Sequence, residues 1–171
     1  LRLQEATDAL DAFGQIYVKQ SMASGVIPQI TAVLGNCGGG AAVVTSLSDF
    51  TFMTKENSKL FVNSPSTFDD KVGSMEEFAS ADFNATESGL ADFVCDDDAC
   101  VLNCIRGLVE LLPANNTEEA PYSEVADDLN RISAELNNAV DGGIDGLAII
   151  SAIADDQKVL DVKKAFGTEV V

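Results

Sequence analysis

The stretch 24–53, SGVIPQITAVLGNCGGGAAVVTSLSDFTFM, decides the fold. Gly25 closes a preceding helix and Pro28 opens an extended segment. Ile27, Ile30, Val33 and Leu34 then form an apolar run bounded by glycines, the pattern of a buried strand. Gly38, Gly39 and Gly40 follow as a tight turn, and a run of small residues continues as a helix to about Ser48. FTFM (50–53) and KLFVNS (59–64) read as two short strands, with the polar TKENS (54–58) turning between them. Strand, glycine turn, helix and strand in succession predict an α/β architecture.

Outward from this stretch, Leu3, Ala6, Leu10, Phe13, Ile16, Tyr17 and Met22 recur mostly every three or four residues, predicting a helix from Leu1 to Ser24. Beyond Pro65, STFDDKVGS reads as loop, MEEFASADF as a short helix and SGLADFV as a strand. Val101, Leu102, Ile105, Leu108, Val109 and Leu112 predict a helix over 97–112, with acidic residues at its start, where the helix dipole favours them. PANNTEEAP (113–121) has linker composition and marks a boundary. After it come two expected helices, YSEVADDLNRISAELNNAV and DGGIDGLAIISAIADD, split by Gly142 and Gly143, and a possible strand at KVLDVK.

Composition narrows the function. Of 171 residues 46% are hydrophobic and 22% charged, so the chain can bury a core. A formal net charge of −18 repels nucleic-acid backbones and anionic membrane surfaces, and would slow an anionic ligand unless local Lys or Arg offset it. No apolar run is long enough to span a bilayer and no leader pattern opens the chain, so we expect a soluble, cytoplasmic protein. Leu1 starts the chain inside a helical pattern, which suggests sequence missing upstream.

There is no histidine, so a Ser–His or Cys–His nucleophile cannot be assembled within this chain. Cys37, Cys95, Cys100 and Cys104 contain no CxxC pair, and no metal site is expected from their spacing. Cys100 and Cys104, four apart on one helix face, read as small buried hydrophobes.

The glycine turn carries the chemistry. Successive glycines ahead of a helix expose backbone N–H groups toward the positive end of the helix dipole, a site for negative charge. If that charge develops during reaction, the amides of Gly38, Gly39 and Gly40 form an oxyanion hole. Equally, the glycines can serve close packing of helix on strand. Cys37 beside them is either a thiol activated at a helix N-terminus or a space-filler. Neither a Walker loop nor a dinucleotide fingerprint is present.

SGVIPQITAVLGNCGGGAAVVTSLSDFTFM resembles the core signature of the carboxyltransferase family that includes propionyl-CoA carboxylase beta subunits and decarboxylase alpha subunits. LRLQEATDAL, SGLADFV, the helix at 97–112, LLPANN and IADDQKVLDVKKAFG follow in the family's order, so the resemblance covers nearly the whole chain. It implies a crotonase-like fold, a ββα superhelix of which this chain is part. Residues 1–112 would be the later half of an N-terminal crotonase-like domain, 113–121 a linker and 122–171 the opening of a C-terminal domain.

It further implies that Gly39 and Gly40, with Ala41 behind them and Gly38 and Cys37 alongside, stand at the acyl thioester and stabilise an enolate. Biotin on a carrier protein would supply the base, with acyl-CoA as substrate and no metal. Implied partners are a biotin carboxyl carrier, a biotin carboxylase or membrane decarboxylase subunit, and further copies in a dimer-based homo-oligomer whose sites form between subunits. Arg2 matches a basic position of the family and reads equally as a surface partner of Glu5. Ala79, Ser80 and Asn84 depart from the family, which has two glycines and a histidine there.

Two other readings fit parts of the sequence. Related hydratases and isomerases place a catalytic Glu two residues after the last glycine, where this chain has Ala42. A non-catalytic acidic binding domain is compatible with the charge and does not require the glycine turn.

Overall fold

The computed structural model describes residues 3–64, 67, 74–128, 130–138 and 145–169. The chain forms two compact units. One runs through Pro121 and includes Lys163–Phe166; the other holds Tyr122–Val162 and the residues from Gly167 onward.

The first unit opens with α1 (Leu3–Ala23), which ends in a left-handed glycine, Gly25, at φ +71°. Ser24 N–H still reaches Gln20 O, and the N–H groups of Val26 and Ile27 both bond Ala23 O, so the turn satisfies the carbonyls of Gln20 and Ala23. Next come β1 (Ile30–Val33), β2 (Asn36–Gly38), α2 (Gly40–Ser46), β3 (Phe50–Thr54) and β4 (Lys59–Phe61). Then follow α3 (Met75–Phe78), α4 (Ala81–Thr86), β5 (Phe93–Cys95) and α5 (Asp98–Val109).

Every described ladder is parallel. One sheet has the order β1-β3-β5, with Ile30 opposite Phe50 and Phe52 opposite Phe93. The other pairs β2 with β4, Cys37 opposite Leu60 and Gly38 opposite Phe61. The strands on either side of TKENS therefore lie in different sheets. Parallel partners need crossovers, supplied here by α2 and by the helices between β4 and β5.

The two faces of β3 feed two cores. Met53 packs with Val33, Ala42, Leu60, Ala81, Ala85 and Ala91. Phe52, wholly buried, packs with Cys95, Val101 and Leu108, and its ring stacks on Phe93 at a centroid distance of 4.5 Å. Alternation along β3 sends neighbouring side chains to opposite faces, so this strand is the unit's shared wall.

Several expectations change. The run 26–35 reads as a buried strand in sequence, but β1 lies at the edge of the described sheet and only Val33 in the run is fully buried, with Ile27 and Leu34 exposed. Asn36–Gly38 belongs to a strand rather than to the turn, because β4 supplies a parallel partner. MEEFASADF forms two short helices, broken where Ser80 caps α4 through Phe83 N–H and bridges Lys59. The strand expected at SGLADFV begins only at Phe93. Of STFDDKVGS only Thr67 and Ser74 lie within the described residues, and Leu1, Arg2, Gly142 and Gly143 lie outside them.

The second unit differs most from expectation. The helix read from YSEVADDLNRISAELNNAV is absent among the described residues, apart from a 3₁₀ turn at Ala134–Asn138. Asp128 caps Asn130 N–H, and Asp127 binds both Arg131 and Asp156 N–H, side-chain bonds that compete with the helical backbone. Tyr122 and Ile132, at 89% and 87% exposure, bury no stripe that would repay helix formation. α6 (Gly146–Ile153) forms, capped by Asp145, and Arg131 binds the carbonyls of Ile153 and Ala154 at its end. KVLDVK forms no strand.

Candidate functional site

The glycine turn sits where β2 passes into α2. Gly39 adopts φ +61°, ψ −130°, a conformation open only to glycine at low cost. Its N–H is shared between Phe61 O and Val62 O, each at 3.1 Å, so the end of β4 holds the turn. Gly39 O in turn accepts the N–H groups of Ala42 and Val43. Among the described residues, nothing in the protein accepts the N–H of Gly40 or of Ala41. The two donors stand at the first turn of α2, in a half-buried setting, where the dipole favours negative charge.

The neighbouring glycines serve packing. A Cβ on Gly38 would come within 2.6 Å of the Phe61 ring, and one on Gly40 within 3.0 Å of both the Phe13 ring and Tyr17 Oη. Tyr17 Oη donates to Gly40 O at 3.1 Å and Gln20 Nε2 to Val44 O at 3.0 Å, fixing α2 on α1. Gly39 meets nothing within 4 Å, so its role is conformational rather than steric. Close approach thus falls to Gly38 and Gly40, and Gly40 also displays its amide, beside that of Ala41.

Cys37 is half-buried with Sγ 3.5 Å from Thr45 Oγ1, packed on the Met53 core rather than poised at the helix start. Ala42 is 2% exposed and belongs to that same core, so its methyl group points away from the turn's open side. Asn84 is buried and bonded within α4, donating to Ser80 O and accepting from Ser88 Oγ. Arg2 lies outside the described residues.

A second constellation lies where β5 meets α5. Cys95, Cys100 and Cys104 place their three sulfurs within 4.8 Å of one another, with Cys95 and Cys104 at 3.6 Å. All are free thiols. Burial pushes the Cys95 thiol up to about 12, and the neighbouring Cys100 and Cys104 thiols add to this. Cys104 is exposed and Cys100 only half-buried, so they are not the buried hydrophobes that their helical spacing suggested. The missing signal was the tertiary one: β5 ends at Cys95 and α5 starts three residues later, which folds the strand end onto the helix's first two turns.

The family model for the carboxyl transferase domain matches residues 1–171. The methylmalonyl-CoA decarboxylase subunit alpha of Propionigenium modestum is 40% identical over 139 residues, 80% of this chain and 27% of that protein. The propionyl-CoA carboxylase carboxyltransferase subunit of Haloferax mediterranei is 33% identical over 99% of this chain and 34% of its own length. Among solved structures, transcarboxylase 12S, described as a hexamer with hydrolysed methylmalonyl-coenzyme A bound, superposes with a TM-score of 0.89. It is 31% identical over 98% of this chain and 34% of that one. The chain spans about a third of the length of these relatives. The mixed α/β fold with parallel sheets is crotonase-like.

Proposed function

Because this chain belongs to the carboxyl transferase domain family, we propose that it is part of an enzyme moving a carboxyl group between carrier-bound biotin and a short-chain acyl-CoA. Residues 1–112 would be the later half of the N-terminal carboxyltransferase domain, 113–121 the linker and 122–171 the start of the C-terminal domain.

One observation carries the reading: among the described residues the amides of Gly40 and Ala41 have no acceptor, while Gly39 N–H is held by Phe61 O and Val62 O. Two parallel donors at a helix start suit an acyl thioester oxygen that gains negative charge as an enolate forms. Gly39 holds the backbone so that these donors face outward; Gly38 and Gly40 let Phe61 and Tyr17 brace the turn; Ala41 supplies an N–H rather than a side chain. Cys37 would line the base of the turn. Biotin, carried on a partner protein, would supply the group that takes the substrate's proton, which suits a chain with no histidine. Preorganised amides cost no reorganisation when the charge appears, and this is where the protein's own contribution would lie.

The partners this implies are acyl-CoA, a biotin carboxyl carrier, a biotin carboxylase or membrane decarboxylase subunit, and further copies of the subunit. Of the relatives, the transcarboxylase structure is itself described as a hexamer. The hydratase reading finds no support at position 42, where a carboxylate would be thrust into an apolar core.

The test is carboxyl exchange by the full protein carrying this chain, with its carrier and a methylmalonyl- or propionyl-CoA substrate. Gly39→Val, whose side chain is strained at φ +61°, ψ −130°, should displace the Gly40 and Ala41 donors and lower the rate by about 10²–10³-fold, the magnitude of losing one such donor. Gly35→Ala, at a glycine in open space, should leave it intact. Undiminished exchange by folded Gly39→Val protein would remove the turn from the active site.

A further inference from the structure

We propose that Cys95, Cys100 and Cys104 form a binding site for one thiophilic cation of the Zn(II) class, held by three thiolates with its fourth position open to solvent. The site is separate from the glycine turn and does not depend on the acyl-CoA reading.

The geometry is built by the fold. Cys95 is the last residue of β5, and Asp97 caps α5 by accepting the N–H of Cys100 at 2.7 Å, which fixes the helix's first turn against the strand end. Cys100 and Cys104, four apart, stand one above the other on the helix. All three sulfurs consequently converge within 4.8 Å. A tetrahedral cation with metal–sulfur bonds of about 2.3 Å needs sulfurs about 3.8 Å apart. The Cys95–Cys104 separation of 3.6 Å meets this already, and a small rotation of the third side chain would complete the set.

The surroundings add two arguments. Thr54 pairs with Cys95 across the sheet, so both side chains leave the same face. Its Oγ1 is buried and has no hydrogen-bond partner among the described residues. A hydroxyl there can donate to a thiolate or to a cation-bound water, whereas three neutral thiols are poor acceptors. In addition, Cys104 is exposed, giving an entry path and a solvent-facing fourth position, and the chain's net charge of −18 attracts cations. Thiolate sets of this kind select soft and borderline metals over magnesium or calcium.

Binding breaks three S–H bonds, releases three protons to solvent and forms three S–metal bonds, with no change in oxidation state.

The experiment titrates the reduced, metal-free protein with Cd(II) under argon, following thiolate-to-metal charge-transfer absorption and proton release, with Zn(II) as competitor. Saturation at one equivalent per chain, displaced by Zn(II), is expected. Cys104→Ser and Cys100→Ser should each weaken binding by more than about 100-fold, beyond the 10–100-fold that outer groups cost. Cys37→Ser should leave it unchanged, and Thr54→Val should weaken it by about tenfold. Cys104 is exposed, so its variant tests the site without disturbing the core. Absorption that survives Cys104→Ser and Cys100→Ser at unaltered affinity, that saturates at half an equivalent, or that never appears overturns the proposal.

Discussion

The hydroxyl of Tyr17 donates to the carbonyl oxygen of Gly40 across 3.1 Å, joining α1 to the first residue of α2. This contact, with the Phe13 ring beside it, is what the absent Cβ of Gly40 makes room for. Tyr17→Phe keeps the ring and deletes only the donor. A net hydrogen bond of this type contributes about 1 kcal/mol. The urea midpoint should fall accordingly with an unchanged slope; an unmoved midpoint would mean that the ring alone holds the turn.

Asp92 and Lys163 test a different tie. The carboxylate accepts Thr51 N–H at 2.6 Å and lies 3.0 Å from Lys163 Nζ, which also donates to Gly89 O. The Asp92 side chain is 7% exposed and that of Lys163 41%, so the pair falls between a screened surface bridge and a fully buried one. A double-mutant cycle of Asp92→Asn and Lys163→Met should give a coupling of about 1–2 kcal/mol. Coupling indistinguishable from zero would reduce the bridge to a surface contact.

The Cys95 thiol gives a prediction in pH. In the folded, metal-free protein it keeps its proton up to about 12, against an ordinary value of 9.0. Between these limits the unfolded chain binds fewer protons than the folded one. Stability from this group is therefore whole below pH 9 and is lost as pH rises toward 12. With chelator present, Cys95→Ala should flatten the alkaline fall in stability over that window. Equal slopes for the two proteins would show that the fall comes from other groups.

The parts of the fold legible in the sequence are those with local causes. The 3.6-residue periods of α1 and α5, the Gly25 stop and the acidic start of α5 need no knowledge of partners, and all are present. The family match likewise rested on a contiguous stretch around the glycines. What stayed hidden depended on contacts distant in sequence. Asn36–Gly38 is a strand only because Lys59–Phe61 lies beside it. The donors at the turn depend on Phe61 and Val62, distant in sequence, whose carbonyls take the Gly39 N–H. The thiol cluster escaped a spacing rule because its geometry spans a strand end and a helix. In the second unit, periodicity overstated helix, since Asp127 and Asp128 give the backbone other partners.

That every described ladder is parallel bears on how the chain acquires its shape. Ile30 must find Phe50, and Phe52 must find Phe93, with no hairpin among the described strands to nucleate the pairing. Closing such loops comes before any reward from contact, so assembly of this unit should be slow for its size. Until β5 docks, the apolar margin of β3 stays open to neighbouring molecules, and the interval between synthesis and docking is when this protein is most exposed to aggregation.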